Sequence, residues 1–491
     1  MKIRYPLLYL SIICAALAAP RNVLFVAVDD LRPWVGAYGA DFMETPHMDA
    51  LASSGRLFER HYVQAPTCGA SRYTLLTGQF GDDGNDALLQ RGRQLSLNPA
   101  AHSPSLPAWF REHGYTTVAV GKVSHHPGGL AGENWLDPEQ AELPAAWDRS
   151  YMPSGPWLHP KGAMHGLANG QIRKDAGDMD VFESFDGSDM AYPDGWTTEA
   201  ALAELNSLSA AEQPFFLAVG IIRPHLPFGA PSDYLDQYAD TVLPPIPHPD
   251  KPEGLSTWHE SREFMKYNRW GRNPNTDPEF AEAVRRHYAA SVSYADAQVG
   301  RILEQLETLG LDENTVVVLW GDHGWHLGEH AIWGKHALFE ESLHAPLIIC
   351  TPGLTEPGRS TAGIASTVDL YPTLCELADL SVPGALDGRS LRGQLDNPTA
   401  PGRAAVSYYR GRVSLRTETH HLIVHEKTGE AELYDHRSLE KETRNRSTDD
   451  PCRVIEMANE LHQRAPEKLT AGTLTKVVAR YSESSGFSNS N

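Results

Sequence analysis

Cysteine is scarce in this chain. The five cysteines among 491 residues (Cys14, Cys68, Cys350, Cys375 and Cys452) form no CxxC pair and no zinc-type spacing, which excludes a disulfide-stapled miniature fold and a zinc ribbon. Positive charge is also short: 42 Lys and Arg stand against 63 Asp and Glu, a formal net charge of −21. A general nucleic-acid binder needs a basic face, so nucleic acid is not expected as a partner. An anionic small substrate remains open, because a local pocket of Lys, Arg and His can oppose the global sign. Beyond residue 20 no apolar run is long enough to cross a bilayer, and no stable membrane insertion is expected. Internal repeats are missing too. The 41 Gly and 35 Pro are spread as turn punctuation, not gathered into a low-complexity tract.

What is present begins with a leader. Lys2 and Arg4 form a basic region, Leu7 to Leu17 an apolar one, and Ala16-Leu17-Ala18 a small-residue cleavage site. This reads as a signal peptide over about residues 1–18, so an exported, periplasmic or secreted protein is expected. Ile13 before Cys14 fits a lipoprotein box poorly.

Short apolar runs rich in β-branched residues follow at 22–30, 116–123, 215–224, 314–322 and 346–353. Their apolarity is continuous, not alternating, as in strands buried on both faces of a parallel-rich sheet. Helical patterns lie between them at 199–208 and 279–309. The expected fold is an α/β sandwich around a large mixed, parallel-rich sheet over 19–400. After Pro401 the pattern changes to short strands split by turns, then a helix from Arg453. A smaller C-terminal α+β subdomain with an antiparallel sheet is expected over 401–491.

In open α/β sheets ligands bind beyond the carboxyl ends of the strands. There the runs end in Asp29-Asp30, in Gly121-Lys122 with His125 and His126 beyond, in Arg223-Pro224-His225, and in Asp322-His323. One charged strand end is ordinary solvation; four of four supplying carboxylate, Lys or His is a pattern. The aspartates are hard oxygen donors of the kind that calcium or magnesium takes. His323 is a softer partner. Lys335 and His336 close a Gly- and His-rich loop, "GDHGWHLGEHAIWGKH", and such loops carry function more often than packing. Cys68, in "APTCGASRYTLLTG", sits between a turn and the start of a helix. From its neighbours alone it reads equally as a buried filler, half of a disulfide, a thiol nucleophile or something else.

"CGASR" fits the C-x-[P/A]-x-R signature of the type I, formylglycine-dependent sulfatases, and "YTLLTG" continues it as in that family. "VDDLRPWVGAYG", "TPHMDALASSG", "VGKVSHHPG", "PFFLAVGIIRPHLPF", "GDHGWHLGEH" with "WGKHALFEES", and "ELYDH" follow in family order over almost the whole chain. The double aspartate, "GKVSH", "RPHLPF" and "DHGWHLGEH" resemble the iduronate-2-sulfatase branch most. The resemblance implies an alkaline-phosphatase-like fold. It implies that a maturation enzyme converts Cys68 to formylglycine, whose hydrate attacks sulfur with one hydroxyl and expels sulfate with the other. Such a hemiacetal sulfate collapses without a second attack by water, whereas a serine sulfate would be stuck. By the same resemblance Asp29, Asp30, Cys68, Asp322 and His323 would hold one Ca²⁺, and Arg72 would steady the hydrate. Lys122 and Lys335 would clamp the sulfate, His125 would take the proton of the second hydroxyl, and His225 would protonate the leaving alcohol. His336 adjoins Lys335 and is expected to bind substrate with Lys122, His225 and Lys335.

Two positions depart from the commoner pattern: Ala70 where proline is usual, and His323 where many members have asparagine. The first bears on which maturase acts. Two other functions stay in view. One is a phosphate or phosphonate monoester hydrolase of the same superfamily. The other is an inactive, secreted glycan-binding relative, which would be expected to have lost one of Asp29, Asp30, Arg72, Lys122, His225, Asp322 or Lys335; all are present. The expected substrate is a sulfated carbohydrate, an O-sulfated uronic acid or deoxysugar of an oligo- or polysaccharide. Trp34, His102, Trp109, Trp196, Trp333 and the stretch 128–194 are candidates for sugar contacts.

Overall fold

The computed structural model describes residues 21–126, 141–172, 175–252 and 257–484. The expected signal peptide lies outside them, as does part of the stretch 128–194. Among the described residues, the central sheet has seven strands: β1 (Asn22–Val28), β2 (Arg56–Leu57), β3 (Thr116–Gly121), β4 (Arg149–Tyr151), β5 (Phe215–Ile221), β6 (Thr315–Gly321) and β7 (Leu347–Cys350). Their order across the sheet is β2-β7-β6-β1-β5-β3-β4. β1 runs parallel to both neighbours, with Val26 opposite Val219 and Leu319. β3 is parallel to β5 and β4, whereas β7 is antiparallel to β6 and β2. The sheet is therefore mixed and parallel-rich. The run at 346–353 forms a shorter strand than its apolarity suggests, and the two edge strands β2 and β4 are too short and polar to stand out in the sequence.

Every residue of β1 is buried, and the pleat divides them. Leu24, Val26 and Val28 join one apolar core while Val23, Phe25 and Ala27 join the other. Each of the Val, Leu and Phe side chains among them contributes about 1.5–3 kcal/mol of burial, and this strand reads as an unbroken hydrophobic run. Among the described residues, the first face is covered chiefly by α2 (Pro193–Ser209) and α3 (Pro278–Thr308); the second is covered in part by α1 (Cys68–Thr77) and the helix Leu370–Leu377. The long α3 starts cleanly: Asp277 accepts from the Phe280 N–H at 3.1 Å and Pro278 occupies the first turn.

Four further strands, β8 (Ala405–Tyr409), β9 (Arg412–Arg416), β10 (His420–His425) and β11 (Ala431–Asp435), make an antiparallel meander. Helices α4 (Pro451–Arg464) and α5 (Ala471–Ser484) follow it. Val454, Met457, Ala458 and Leu461 of α4 share a core with Val413, Leu415, Leu422 and Leu433, and Ala65 and Ala70 belong to that core too. Ser407 donates to the Val63 carbonyl at 2.6 Å and the Tyr408 N–H to Gln64 at 2.7 Å. The small sheet thus fixes the approach to Cys68 from across more than 300 residues of chain.

Candidate functional site

The loops leaving β1, β3, β5 and β6 converge at the start of α1. Cys68 is the first residue of that helix, and its Sγ lies 3.1 Å from Lys335 Nζ, 3.3 Å from His323 Nε2 and 3.8 Å from Lys122 Nζ. Asp29, Asp30, Cys68 and His225 bring ligand atoms within 4.8 Å of one another, and so do Asp29, Cys68, Asp322 and His323. All are buried.

The two adjacent aspartates aim at one point because the strand ends at Val28, just before them, and the backbone turns. Asp30 takes the left-handed conformation (φ 58°), a position where Asp is tolerated better than most residues. Tyr288 of α3 pins it, its hydroxyl donating to the Asp30 carbonyl at 2.8 Å while accepting from the Arg32 N–H at 3.0 Å. Arg72, one turn along α1, lies fully buried. Its guanidinium reaches Asp29 at 3.2 Å and Asp322 at 3.0 Å, and it donates to the carbonyls of Lys122 and Val123. Lys122 pairs with Asp29, and Lys335 with Asp30 at 2.8 Å. Close approach of backbone is needed here: a Cβ on Gly69 would stand 2.2 Å from the Asn85 carbonyl oxygen, and one on Gly220 would strike Lys122 at 2.1 Å.

The charges are unequally shared. Burial by itself raises Asp29, but Lys122, His225 and Arg72 overcome it and hold its carboxyl well below the usual range. Burial, with the neighbouring Asp29, pushes Asp322 up to about 7. Asp30 is raised as well: burial is the largest influence, Lys335 opposes it, and Asp29 and Asp322 add to it. Burial, then Lys122, lowers His125 and His225 well below the ordinary histidine value; for His323 the charge is Lys335. Burial and Asp29 raise the Cys68 thiol, so as a thiol it is a poor nucleophile in this setting.

Three carboxylates and an imidazole on one point form a donor set that suits a divalent cation. Asp30 Oδ2 is buried with no hydrogen-bond partner among the described residues, the kind of orphan that an ion would satisfy. Asp29, Asp30, Asp322 and His323 would hold it together with residue 68.

Of the residues expected from sequence, Asp29, Asp30, Cys68, Arg72, Lys122, His225, Asp322, His323 and Lys335 are brought together. His125 lies beside them, half-buried against His126 (rings 4.4 Å apart), and among the described residues its Nδ1 has no hydrogen-bond partner. His336 stands apart: its ring stacks on Tyr409 at 5.7 Å and faces Glu263 at 3.8 Å. Trp34 and Trp333 are core residues. Trp34 packs on Phe42 and Tyr288, and Trp333 sits 1% exposed with its indole N–H on Asn275. Trp109 donates to Ser381 just before β3 begins, and His102 pairs with Gln94. Trp196 donates to the Met190 carbonyl.

Several supporting residues gave little signal in the sequence. Asn85 accepts from the Gly69 N–H at 2.9 Å and so holds the start of α1. Asp194 accepts from Ile222 N–H and Arg223 N–H at 2.7 and 2.9 Å, shaping the turn that delivers His225. His165 places its ring 5.4 Å from that of His225, and His259 hydrogen-bonds the Lys335 carbonyl at 2.5 Å. Such partners are isolated polar residues far away in the chain, and only the fold assigns them.

A family model described as Sulfatase matches residues 21–380, and one described as N-sulphoglucosamine sulphohydrolase, C-terminal, matches residues 328–470. Iduronate 2-sulfatase of Homo sapiens is 33% identical over 419 residues, covering 77% of this chain and 74% of the human protein. The chain belongs to the sulfatase family. As a sulfatase it is a sulfuric ester hydrolase. A protein named Sulfatase from Formosa agariphila is 28% identical over 485 residues, 95% of this chain and 88% of its own. Among solved structures, the fold matches a protein in complex with its substrate D-glucosamine-2-N,6-O-disulfate, with a TM-score of 0.70, 22% identity, and coverage of 93% of this chain and 100% of that one. It also matches the phosphonate monoester hydrolase of Silicibacter pomeroyi, with a TM-score of 0.68, 24% identity, and coverage of 93% and 97%. The alkaline-phosphatase-like sandwich expected from the motifs is the fold observed. Among the described residues, no helix is long and apolar enough to cross a membrane.

Proposed function

We propose that this sulfatase is exported and removes a sulfate ester from a carbohydrate, with residue 68 acting as formylglycine beside a bound Ca²⁺. The observation that carries the reading is the convergence on Cys68 Sγ of Lys335, His323 and Lys122 at 3.1–3.8 Å, inside a shell of buried aspartates. A thiol held protonated there has little use, whereas a modified side chain at the same position faces cations suited to an anionic ester. Formylglycine supplies a hydrated aldehyde as nucleophile, and the metal would favour its ionised form and offset charge on sulfate oxygens.

The residues of the chain have distinct tasks in this reading. Lys122 and Lys335 bind sulfate oxygens and oppose the charge that grows in the transition state. Arg72 keeps Asp29 and Asp322 in place and keeps the carboxylates from repelling the ester. His225 gives a proton to the departing alcohol, and His125 accepts one from the nucleophile as sulfate is expelled. Burial, then the Lys122 charge, keeps both imidazoles neutral; an arriving sulfate anion adds negative charge beside them and raises both. His336, at the rim, meets the sugar rather than the sulfate. An O-sulfated uronic acid fits the similarity to iduronate 2-sulfatase.

The test is the mass of the peptide that carries residue 68, taken from protein co-expressed with a maturase, alongside desulfation of defined sulfated disaccharides. An aldehyde mass in active protein supports the reading; full activity with an unmodified thiol overturns it. Phosphate and phosphonate monoesters assayed in parallel decide against a sulfatase assignment if they are turned over faster.

A further inference from the structure

A second group of metal-type donors lies outside this site. His326 and His330, in the loop between Asp322 and Lys335, meet Glu341 from the short helix Glu340–Leu343, and their ligand atoms all fall within 4.8 Å of one another. His326 and His330 are 0% and 1% exposed. His326 Nε2 lies 3.4 Å and His330 Nε2 3.6 Å from Glu341 Oε2. Both separations exceed an ordinary N–H···O hydrogen bond. Among the described residues, His326 Nε2 and Glu341 Oε2 are buried with no hydrogen-bond partner.

The other ring nitrogen fixes what His326 offers. Its Nδ1 faces the Gly334 carbonyl at 3.2 Å and the Ser342 hydroxyl at 3.0 Å. A carbonyl can only accept, so the tautomer that satisfies it carries the ring proton on Nδ1, with the Ser342 hydroxyl accepting too, and leaves Nε2 as a lone pair aimed at a carboxylate. Two acceptors facing each other call for a positive charge between them, a proton or a metal ion, and the separations here are longer than an N–H···O bond. Donor atoms about 2.0–2.1 Å from a tetrahedral zinc ion stand roughly 3.3–3.4 Å apart, close to the separations seen here. The Nδ1 contact to a backbone carbonyl is the usual outer-shell arrangement of a metal-bound histidine.

A neighbouring trio makes the contrast. His421 Nδ1 lies 2.5 Å and His436 Nε2 3.2 Å from Glu442 Oε1, and Arg416 donates to His436 Nδ1 at 3.0 Å. Those distances are hydrogen bonds, and protons already fill that cluster.

We propose that His326, His330 and Glu341 form a second, structural metal site for a zinc-class divalent transition ion, with Glu341 as its solvent-side ligand. Two imidazoles and one carboxylate suit zinc or cobalt, not calcium. The Glu341 side chain is 17% exposed, which gives the ion a way in. The ion would tie the loop carrying Asp322, His323 and Lys335 to the helix packed over it. This site stands on its own residues and does not depend on the sulfatase mechanism.

The test uses the full chain, stripped with chelator and then saturated with Ca²⁺ so that the oxygen-rich site is filled. Titration with Co²⁺ alone should give one equivalent bound, with the intense visible absorption of a tetrahedral ion, displaced by Zn²⁺ and accompanied by a rise in Tm. His326→Gln and His330→Gln should weaken Co²⁺ binding at least ~100-fold while keeping the wild-type circular dichroism, in line with the loss expected when a metal shell is damaged. Wild-type protein that shows no such band overturns the proposal without any variant, and so does a band that survives in His326→Gln. If His326→Gln fails to fold, Glu341→Gln serves in its place.

Discussion

Replacing Arg72 by methionine tests the electrostatic frame of the site. The guanidinium is fully buried, bridges Asp29 and Asp322 at 3.2 and 3.0 Å, and donates to two backbone carbonyls. Methionine fills a similar volume but leaves two carboxylates and two carbonyls short of a partner. Removing one side of a buried ion pair costs about 3–5 kcal/mol, because the remaining charge stays desolvated. A chain of 491 residues at about 2.1 cal/mol/K per residue unfolds with an entropy near 1 kcal/mol/K, so this loss lowers Tm by only about 3–5 °C. Denaturant titration in chelator, where the cost appears as a shift in midpoint at constant slope, is therefore the better assay. The double variant Arg72→Met with Asp29→Asn removes one of the orphaned charges. It should cost less than the sum of the two singles by about 1–3 kcal/mol. Strict additivity within about 0.5 kcal/mol, or an Arg72→Met cost below about 1 kcal/mol, would refute the argument.

Three further outcomes are expected. Burial brings His61 down to about 3; its Nδ1–H donates to Ala345 at 2.9 Å and its Nε2 accepts from Thr367 at 3.0 Å. The unfolded chain takes up that proton near pH 6.5, so stability is full above this value and falls as pH drops toward 3, by about 1.4 kcal/mol per pH unit. His61→Gln should remove roughly 2 kcal/mol of the difference between pH 5 and pH 7 measured by denaturant unfolding; an unchanged difference contradicts the assignment. His225→Ala should lower kcat by about 10²–10⁴ on a sugar sulfate and far less on an aryl sulfate, whose leaving group needs no proton; equal losses on both would remove His225 as the acid. Gly69→Ala would set a Cβ 2.2 Å from the Asn85 carbonyl, so soluble yield and Tm should fall; wild-type stability would show that the α1 start gives way freely.

Much of the fold was legible because β1, β3, β5 and β6 are buried on both faces. Burial on both faces leaves a continuous apolar mark in the sequence, and the polar residues that end each run then stand out. The short edges β2 and β4 carry no such mark, since two or three residues cannot show a period. Asp29, Asp30, Lys122, His225 and Asp322 announced themselves at strand ends, and the residues around Cys68 through a local signature. His336 follows Lys335 in the sequence, and its left-handed backbone (φ 74°) turns the ring onto Tyr409, beside the cluster around Cys68 and not in it. Trp34 and Trp333 were candidates for a sugar platform only because a tryptophan's chemistry is the same in a core and in a pocket.

The sequence by itself determined the order of the long buried strands and the helices between them, the carboxylates and cations at the strand ends, and the family those motifs mark. Each of these is written in local spacing that a few consecutive residues carry. Tertiary structure alone decided which partners hold the site: Tyr288 under Asp30, Asn85 on Gly69, Asp194 behind His225, and the C-terminal sheet against Val63 and Gln64. It also placed Glu341 against His326 and His330. Those contacts join residues far apart in the chain through single hydrogen bonds or ion pairs, and a lone polar side chain has no periodicity from which its partner can be read.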